Sequence, residues 1–407
     1  MIEKRTLVGL KISYRNDEMI SITEFLGRGA SCSSYKGYHL DSEGNRKNIV
    51  IIKEFTPNKE EYNFDINVSG EPISPIEIQN EVFKHRYLPA NAIEFKKDFD
   101  NFFNRQAQVQ SMVNNILNSD TKNRYLRYNI VSLNEQDIIK EFDAGSNTYR
   151  GLLIYNYDSK DFGNGVKDLT VIERLEAFLC LCSVVNAFHK ANIALIDIKP
   201  ENFIYISEKD ASPMTYLKFF DFDSFIYLNE KSLMIDDCSS IPCGTFPFEA
   251  PELAGTYREY RIYDDVGARS DIYSLGVILY NFIIYDVINE YKEFKDKDEF
   301  GLLINSENDF LAGNGQNILT DGFTKMLFSI INKACYRYYN QRYENEGYAK
   351  GLLKDVENLL EIYQNKGVHP EVMLDNAKNI ATEFKNELKD FDEGLLCDCV
   401  VVDDETE

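Results

Sequence analysis

Short runs of alternating apolar and polar residues open the chain and predict a small antiparallel sheet. Thr6–Ser13 and Met19–Phe25 are the first two pieces, split by a turn at Arg15–Glu18. A hairpin turn at Ser42–Asn45 leads into the β-branched run Asn48–Phe55. Ile130–Leu133, Asp137–Phe142 and Arg150–Tyr155 complete the sheet, with a turn at Ala144–Asn147. Helical spacing appears over Asp98–Leu117, where Phe99, Phe102, Phe103, Val109, Met112, Val113 and Ile116 share a face. Ser74-Pro75-Ile76-Glu77 reads as a capping box and predicts a short helix from there to Leu88, closed by Pro89. Thr170–Lys190 predicts a long apolar helix, and Ser270–Tyr280 opens another buried one. Pro370–Phe391 carries an apolar stripe, Met373, Ala377, Ile380, Phe384 and Leu388, suited to core packing or to a partner.

Chemistry concentrates where this pattern breaks. Leu195–Phe203 reads L-I-D-I-K-P-E-N-F and sets Asp197, Lys199 and Asn202 in one short polar turn between apolar runs. Leu217–Asp223, L-K-F-F-D-F-D, brings Asp221 after another apolar strand. Two carboxylates and an amide so spaced can share a divalent metal and a phosphate ester. Upstream, Leu26–Gly37 contains Gly27 and Gly29, which let backbone approach an anion closely. Lys53 ends a buried β-branched strand, where an ammonium has no structural use unless something anionic meets it.

D-I-K-P-E-N followed by F-D-F-D resembles the catalytic and metal loops of eukaryotic-type serine/threonine protein kinases, H-R-D-x-K-x-x-N and D-F-G. Leu195 and Ile196 replace the His and Arg, and Asp223 replaces the Gly. Gly27 and Gly29 resemble the kinase glycine-rich loop, with Cys32 at its third Gly and Ser34 at its Val. Lys53 matches the strand Lys, Ala250-Pro251-Glu252 the A-P-E element, Asp271 the Asp that holds the catalytic-loop backbone, and Arg342 the partner of the A-P-E Glu. On the Asp98–Leu117 helix no acid stands where the family pairs one with the strand Lys; Gln106 or Gln108 does, and Glu81 on the inserted helix or a carboxylate elsewhere is the candidate substitute.

The resemblance covers roughly residues 20–365. It implies an α+β, bilobal protein-kinase-like fold. Residues 1–157 would form an N-lobe with an insertion near 57–99, 158–366 a mainly helical C-lobe, and 367–407 a C-terminal helix and acidic tail. It implies ATP and Mg²⁺ as cofactors and protein Ser/Thr hydroxyls as substrate. In this picture Asp197 accepts the substrate hydroxyl's hydrogen bond and Lys199 offsets charge on the moving phosphoryl group. Asn202 and Asp221 hold metal, and Gly27, Gly29 and Lys53 hold phosphates. Asn156 and Tyr157 form the hinge that borders the adenine. Lys199 two places after Asp197, with Thr245 downstream, resembles serine/threonine rather than tyrosine kinases. Ile196 in place of Arg removes a cation for an activation-segment phosphate, so activity should not require phosphorylation at Ser232, Ser239 or Ser240. Asp223 for Gly restricts the metal-loop backbone and disfavours a flipped inactive state. The first alternative is a pseudokinase, a nucleotide-binding or scaffold module, favoured by Cys32 and the missing helix acid; the second is a kinase fold that modifies a small molecule or performs another transfer from ATP, against which the A-P-E element and Asp271 argue.

Composition narrows the partners. The 407 residues carry a net charge of −23, a field that repels nucleic acid and anionic membrane and weakly favours basic protein substrates. The eight cysteines have no framework spacing and read as reduced thiols in a cytoplasmic protein. Cys397-Asp398-Cys399 has no further metal ligand in sight. The N-terminus lacks the apolar core of a signal peptide. Richness in Ile, Asn, Lys and Tyr, with no Trp, hints at an AT-rich bacterial genome and so at a bacterial-like member of the family.

Overall fold

The computed structural model describes residues 7–14, 18–29, 31–57, 86–89, 91–119, 124–157, 169–205, 217–235, 244–245, 247–253, 266–284, 322–336, 339–343 and 348–365. The chain forms two compact units, Met1–Gly165 with Asn202–Asp223, and Val166–Glu201 with Ser224–Glu407.

The first unit is built on a seven-stranded antiparallel sheet. Its strands are β1 (Lys11–Ser13), β2 (Met19–Arg28), β3 (Cys32–Leu40), β4 (Arg46–Phe55), β5 (Arg86–Tyr87), β6 (Ile138–Asp143) and β7 (Thr148–Asn156). The order is β1-β2-β3-β4-β7-β5, with β6 also on β7. Alternation along β4 and β7 assigns two faces, because successive side chains of a strand point opposite ways. Val50, Ile52, Leu152 and Ile154 join Ile12, Ile20 and Ile22 in one cluster. Ile49, Ile51, Leu153 and Tyr155 join Phe95, Phe99 and Phe103 of helix α1 (Ala92–Ser119) in the other. Lys53 follows Ile51 by two and therefore shares the helix-facing side. Gly151 belongs where it is because a Cβ there would stand 2.7 Å from the Phe99 ring. A short helix α2 (Arg124–Asn129) follows, and the hairpin β9 (Phe203–Tyr205) with β10 (Leu217–Phe219) belongs to this unit.

Three local expectations change. The helix predicted from Ser74 to Leu88 lies outside the described residues over 74–85, and its end is strand, not helix. Pairing of β4 with β7 stops at Glu54 and Leu152, leaving that edge of β7 open, and β5 continues it through Arg86↔Tyr149 and Tyr87↔Thr148. Helix α1 begins at Ala92 rather than Asp98, with Asn91 before it and Glu94 favourably placed in its first turn. Ile130–Leu133 is not a sheet strand. Ile130 makes one parallel bridge to Phe219, and Val131 and Leu133 are buried in the helix-side cluster.

The second unit is mainly helical: α3 (Val171–Lys190), α4 (Ala268–Ile284), α5 (Gly322–Ala334) and α6 (Tyr348–Asn365), with a two-stranded ribbon β8 (Ile193–Ala194) and β11 (Ile226–Tyr227). Thr170 caps α3 in a reciprocal box with Glu173. The helix is buried nearly all round, as its unbroken apolar run requires, and packs against α4 and α6. No described helix is long and apolar enough to cross a membrane. The predicted helix Pro370–Phe391, the tail Asp403–Glu407 and Cys397 and Cys399 lie outside the described residues.

Candidate active site

Within the first unit, Lys53 and Asp221 meet in an ion pair, with side chains 11% and 23% exposed. The ammonium also lies 5.4 Å from the Phe220 ring centroid and 5.9 Å from that of Tyr155. Burial alone would lower the Lys53 pKa, but the Asp221 and Asp223 carboxylates raise it above the ordinary value. Asn202 comes to the same place through strand register. Phe203 pairs with Phe219, so the next step sets Asn202 beside Phe220, whose N–H donates to the Asn202 carbonyl at 3.0 Å. Asp221 itself sits at φ 66°, an unusual conformation for an L-residue and one that marks functional turns. A small cavity beside Asp221 and Phe222 is lined by Val109, Val113, Leu133 and Tyr155.

Gln106 is the helix residue that faces this cluster. It is 1% exposed, whereas Gln108 is exposed. Both polar atoms of its amide are buried without a hydrogen-bond partner, and so is Oδ1 of Asp223. The amide is nonetheless close enough to Asp223 to draw its pKa down. Burial and the neighbouring Asp221 outweigh this and raise Asp223 to about 6. Arg105 Nε donates to the Asp223 carbonyl at 3.2 Å. Cys32 is buried next to the same charges. Burial pushes its thiol well up, against the opposing pull of Lys53.

The glycine loop is the β2–β3 turn. Gly27 adopts φ 153°, where a side chain would be strained, and has open space around it. The Gly29 N–H donates to the Cys32 carbonyl at 2.8 Å and closes the turn. At the end of β7, the Asn156 amide donates to Tyr14 Oη (3.0 Å) and Asp137 (2.9 Å), and its oxygen lies 2.6 Å from His39 Nε2. Its side chain is thus fixed inside the sheet. Tyr157 is buried, and its N–H donates to Ile49 O at 3.2 Å.

Within the second unit, Asp197, Lys199 and Thr245 form a closed triangle. Lys199 Nζ donates to Asp197 Oδ2 at 2.7 Å and to Thr245 Oγ1 at 2.6 Å. The Thr245 hydroxyl donates to Asp197 Oδ1 at 2.7 Å. Sequence separations of 46 and 48 residues are thereby brought to hydrogen-bond distance. The backbone beneath is fixed by Asp271, fully buried near the start of α4. It accepts the Leu195 and Ile196 N–H groups at 2.8 and 2.7 Å, and His189 Nε2 lies 2.8 Å from it. Sequence reasoning missed His189; its only signal was a histidine in the last turn of an otherwise apolar helix. Glu252 is held by a two-pronged pair with Arg342 at 2.7 and 2.8 Å and by the Ser270 hydroxyl at 2.7 Å.

The protein kinase domain model matches residues 127–397, more than half of the chain. The chain belongs to the protein kinase domain family. This kinase-family chain is 38% identical over 108 residues to MAP kinase-interacting serine/threonine-protein kinase 2 of Xenopus laevis, covering 25% of the chain and 21% of that relative. It is 34% identical over 110 residues to calcium-dependent protein kinase 15 of rice, Oryza sativa subsp. japonica, covering 26% and 17%. It is 28% identical over 153 residues to MAP kinase-activated protein kinase 2 of Oryctolagus cuniculus, covering 35% and 38%. The match thus spans well under half the length of these relatives. All three are eukaryotic and lend no support to a bacterial-like member of the family.

The donors present suit a hard divalent cation. Asp221 supplies carboxylate oxygen and Asn202 an amide, and no group of three His, Cys, Asp or Glu that could hold a metal occurs among the described residues. Such oxygen donors fit a divalent cation that completes its shell with phosphate oxygens and water.

Proposed function

We propose that this chain is an ATP-dependent protein kinase that phosphorylates serine and threonine hydroxyls. The observation that carries the reading is the Asp197–Lys199–Thr245 triangle. Such a set can offer a carboxylate to a substrate hydroxyl and a cation to a migrating phosphoryl group. Asp197 accepts the hydrogen bond of the substrate hydroxyl and orients its oxygen. That oxygen forms the new bond to phosphorus as the bond to the ADP leaving oxygen breaks, and the hydroxyl proton passes to Asp197. Lys199 offsets the charge on the transferring group, and Thr245 holds both side chains in register. Lys53 and the backbone at Gly27 and Gly29 hold the phosphate tail. Asn202 and Asp221 would hold Mg²⁺, which would supply charge neutralisation for the phosphates. The adenine is bordered by the backbone at Asn156 and Tyr157.

The second reading, a nucleotide-binding module without transfer, is favoured by one observation: Gln106 rather than an acid occupies the buried helix position. Incubation with labelled ATP and Mg²⁺, followed by mapping of labelled residues, separates the two. Wild type should label Ser and Thr, and Asp197→Ala and Asp221→Asn should not. Nucleotide binding without transfer by wild type would favour the module.

A further inference from the structure

The ladder between β6 and β7 stops at Ile138↔Leu153, three residues short of the end of β7 at Asn156. Side chains take over where the ladder ends. Asp137, one residue before β6 and 1% exposed, accepts from the Asn156 amide at 2.9 Å, from the Asn134 N–H at 2.8 Å and from the Tyr14 hydroxyl. The same amide donates to Tyr14 Oη at 3.0 Å. Both of its hydrogens are thereby committed, so its oxygen faces His39 Nε2, which is the donor at 2.6 Å. Tyr14 lies just beyond β1, and β2, β3 and β4 separate β1 from β7 in the sheet order. Only a strongly curled sheet brings these ends together across 142 residues of sequence, and the Tyr14 ring centroid rests 5.1 Å from that of His39. An apolar filling of the same volume would serve stability as well, whereas a directed network fixes one orientation of one side chain. The residue so fixed is the one whose backbone borders the adenine in the proposed reaction. Tyr157 N–H bonds Ile49 O, so ladder alternation turns the Asn156 N–H and carbonyl away from β4, toward the side where β6 has ended.

We propose that Tyr14 is a positioning residue for the nucleotide base: its hydroxyl, with Asp137 and His39, locks Asn156 and so sets the angle of the backbone edge that meets the adenine. The inference rests on the kinase reading and deepens it. It gives Tyr14 a role in holding the base and none in holding the phosphates.

The test uses the full chain and four variants: Tyr14→Phe, Asn156→Ala, the two combined, and Tyr149→Phe. The last removes another buried hydroxyl of the same unit, one that donates to Phe55 O at 3.2 Å. Calorimetry measures the affinity of each for ATP·Mg²⁺ and for tripolyphosphate·Mg²⁺, and steady-state transfer gives kcat and KM. Tyr14→Phe keeps the ring and should bind ATP about threefold to tenfold more weakly, the worth of one hydrogen bond, with tripolyphosphate affinity and kcat unchanged. Asn156→Ala should weaken ATP binding likewise, and the second change should add little to the first in the combined variant. Tyr149→Phe should leave both affinities at the wild-type value. Equal ATP affinity in Tyr14→Phe and wild type overturns the proposal. So does a matching loss for tripolyphosphate or in Tyr149→Phe, which would mark a general loosening of the sheet, or losses that simply add in the combined variant. If Tyr14→Phe fails to fold, Asn156→Ala decides by the same comparison of ATP with tripolyphosphate. Wild type that binds ATP but transfers nothing removes the kinase reading, while the affinities still decide the role of Tyr14.

Discussion

Asp271 Oδ1 accepts the Ile196 N–H at 2.7 Å, and Ile196 stands at φ 69°. A β-branched residue in that region is a genuine outlier, at a cost of about 1–3 kcal/mol. The strain persists because one buried carboxylate clamps two successive amides, and it falls on the residue just before Asp197. The clamp is therefore the device that gives the Asp197 turn its shape. Replacing Asp271 with Ala removes an acceptor from two amides and a contact from His189 together. Loss of stability should be roughly 3–5 kcal/mol, read by denaturant unfolding. Unaltered stability would mean that the loop holds its form without the clamp.

Glu252 and Arg342 make a second buried attachment, with side chains 5% and 0% exposed. Lysine at position 342 keeps the charge but cannot bridge both carboxylate oxygens or reach the Arg269 carbonyl, which Arg342 contacts at 2.9 Å. Arg342→Lys should be destabilised, and Glu252→Ala more so, by about 3–5 kcal/mol, because it leaves a buried guanidinium without its countercharge. The comparison is made by thermal and chemical unfolding of both variants.

Lys53→Met removes the cation while keeping an apolar stem of similar length. Phosphoryl transfer should drop by roughly 10²-fold or more, as for loss of a preorganised charge at a developing anion. Withdrawal of Mg²⁺ with chelator should abolish transfer by wild type. Transfer that survives either change would remove Lys53 or the Asn202–Asp221 pair from the reaction.

The stretch around Ser232 is fastened without a phosphate. The Ser232 carbonyl accepts from Ala268 N at 3.1 Å and Tyr339 Oη at 3.3 Å, and Met234 N donates to Val266 O at 2.8 Å. Ser239 and Ser240 lie outside the described residues. Replacing all three serines with Ala should leave the transfer rate unchanged, because Ile196 supplies no cation to meet a phosphate there. A folded triple variant without activity would show that a phosphate is needed.

Much of this was readable in the chain because period and order carry it. The two faces of β4 and β7 follow from alternation, and Lys53 falls on the helix side by counting from Ile51. The helical phase of Phe95, Phe99 and Phe103 also decides between the glutamines, since Gln106 continues that stripe and Gln108 leaves it. Other features left no local trace. A two-residue strand such as Arg86–Tyr87 has no period to detect. The apolar run Ile130–Leu133 is as compatible with a buried irregular segment as with a strand. The pairing of His189 with Asp271 spans 82 residues, and the approach of Asp223 to Gln106 depends on where a hairpin places a loop. Tertiary placement, not propensity, determines such contacts.

The most direct test of the central claim separates holding the nucleotide from moving its phosphoryl group. ATP·Mg²⁺ affinity and single-turnover transfer to a protein substrate are measured for wild type and Asp197→Asn. Near-equal affinities are expected, with transfer by Asp197→Asn reduced by roughly 10²-fold or more, the range for removing a positioned proton acceptor. Equal transfer rates in the two proteins would contradict the account.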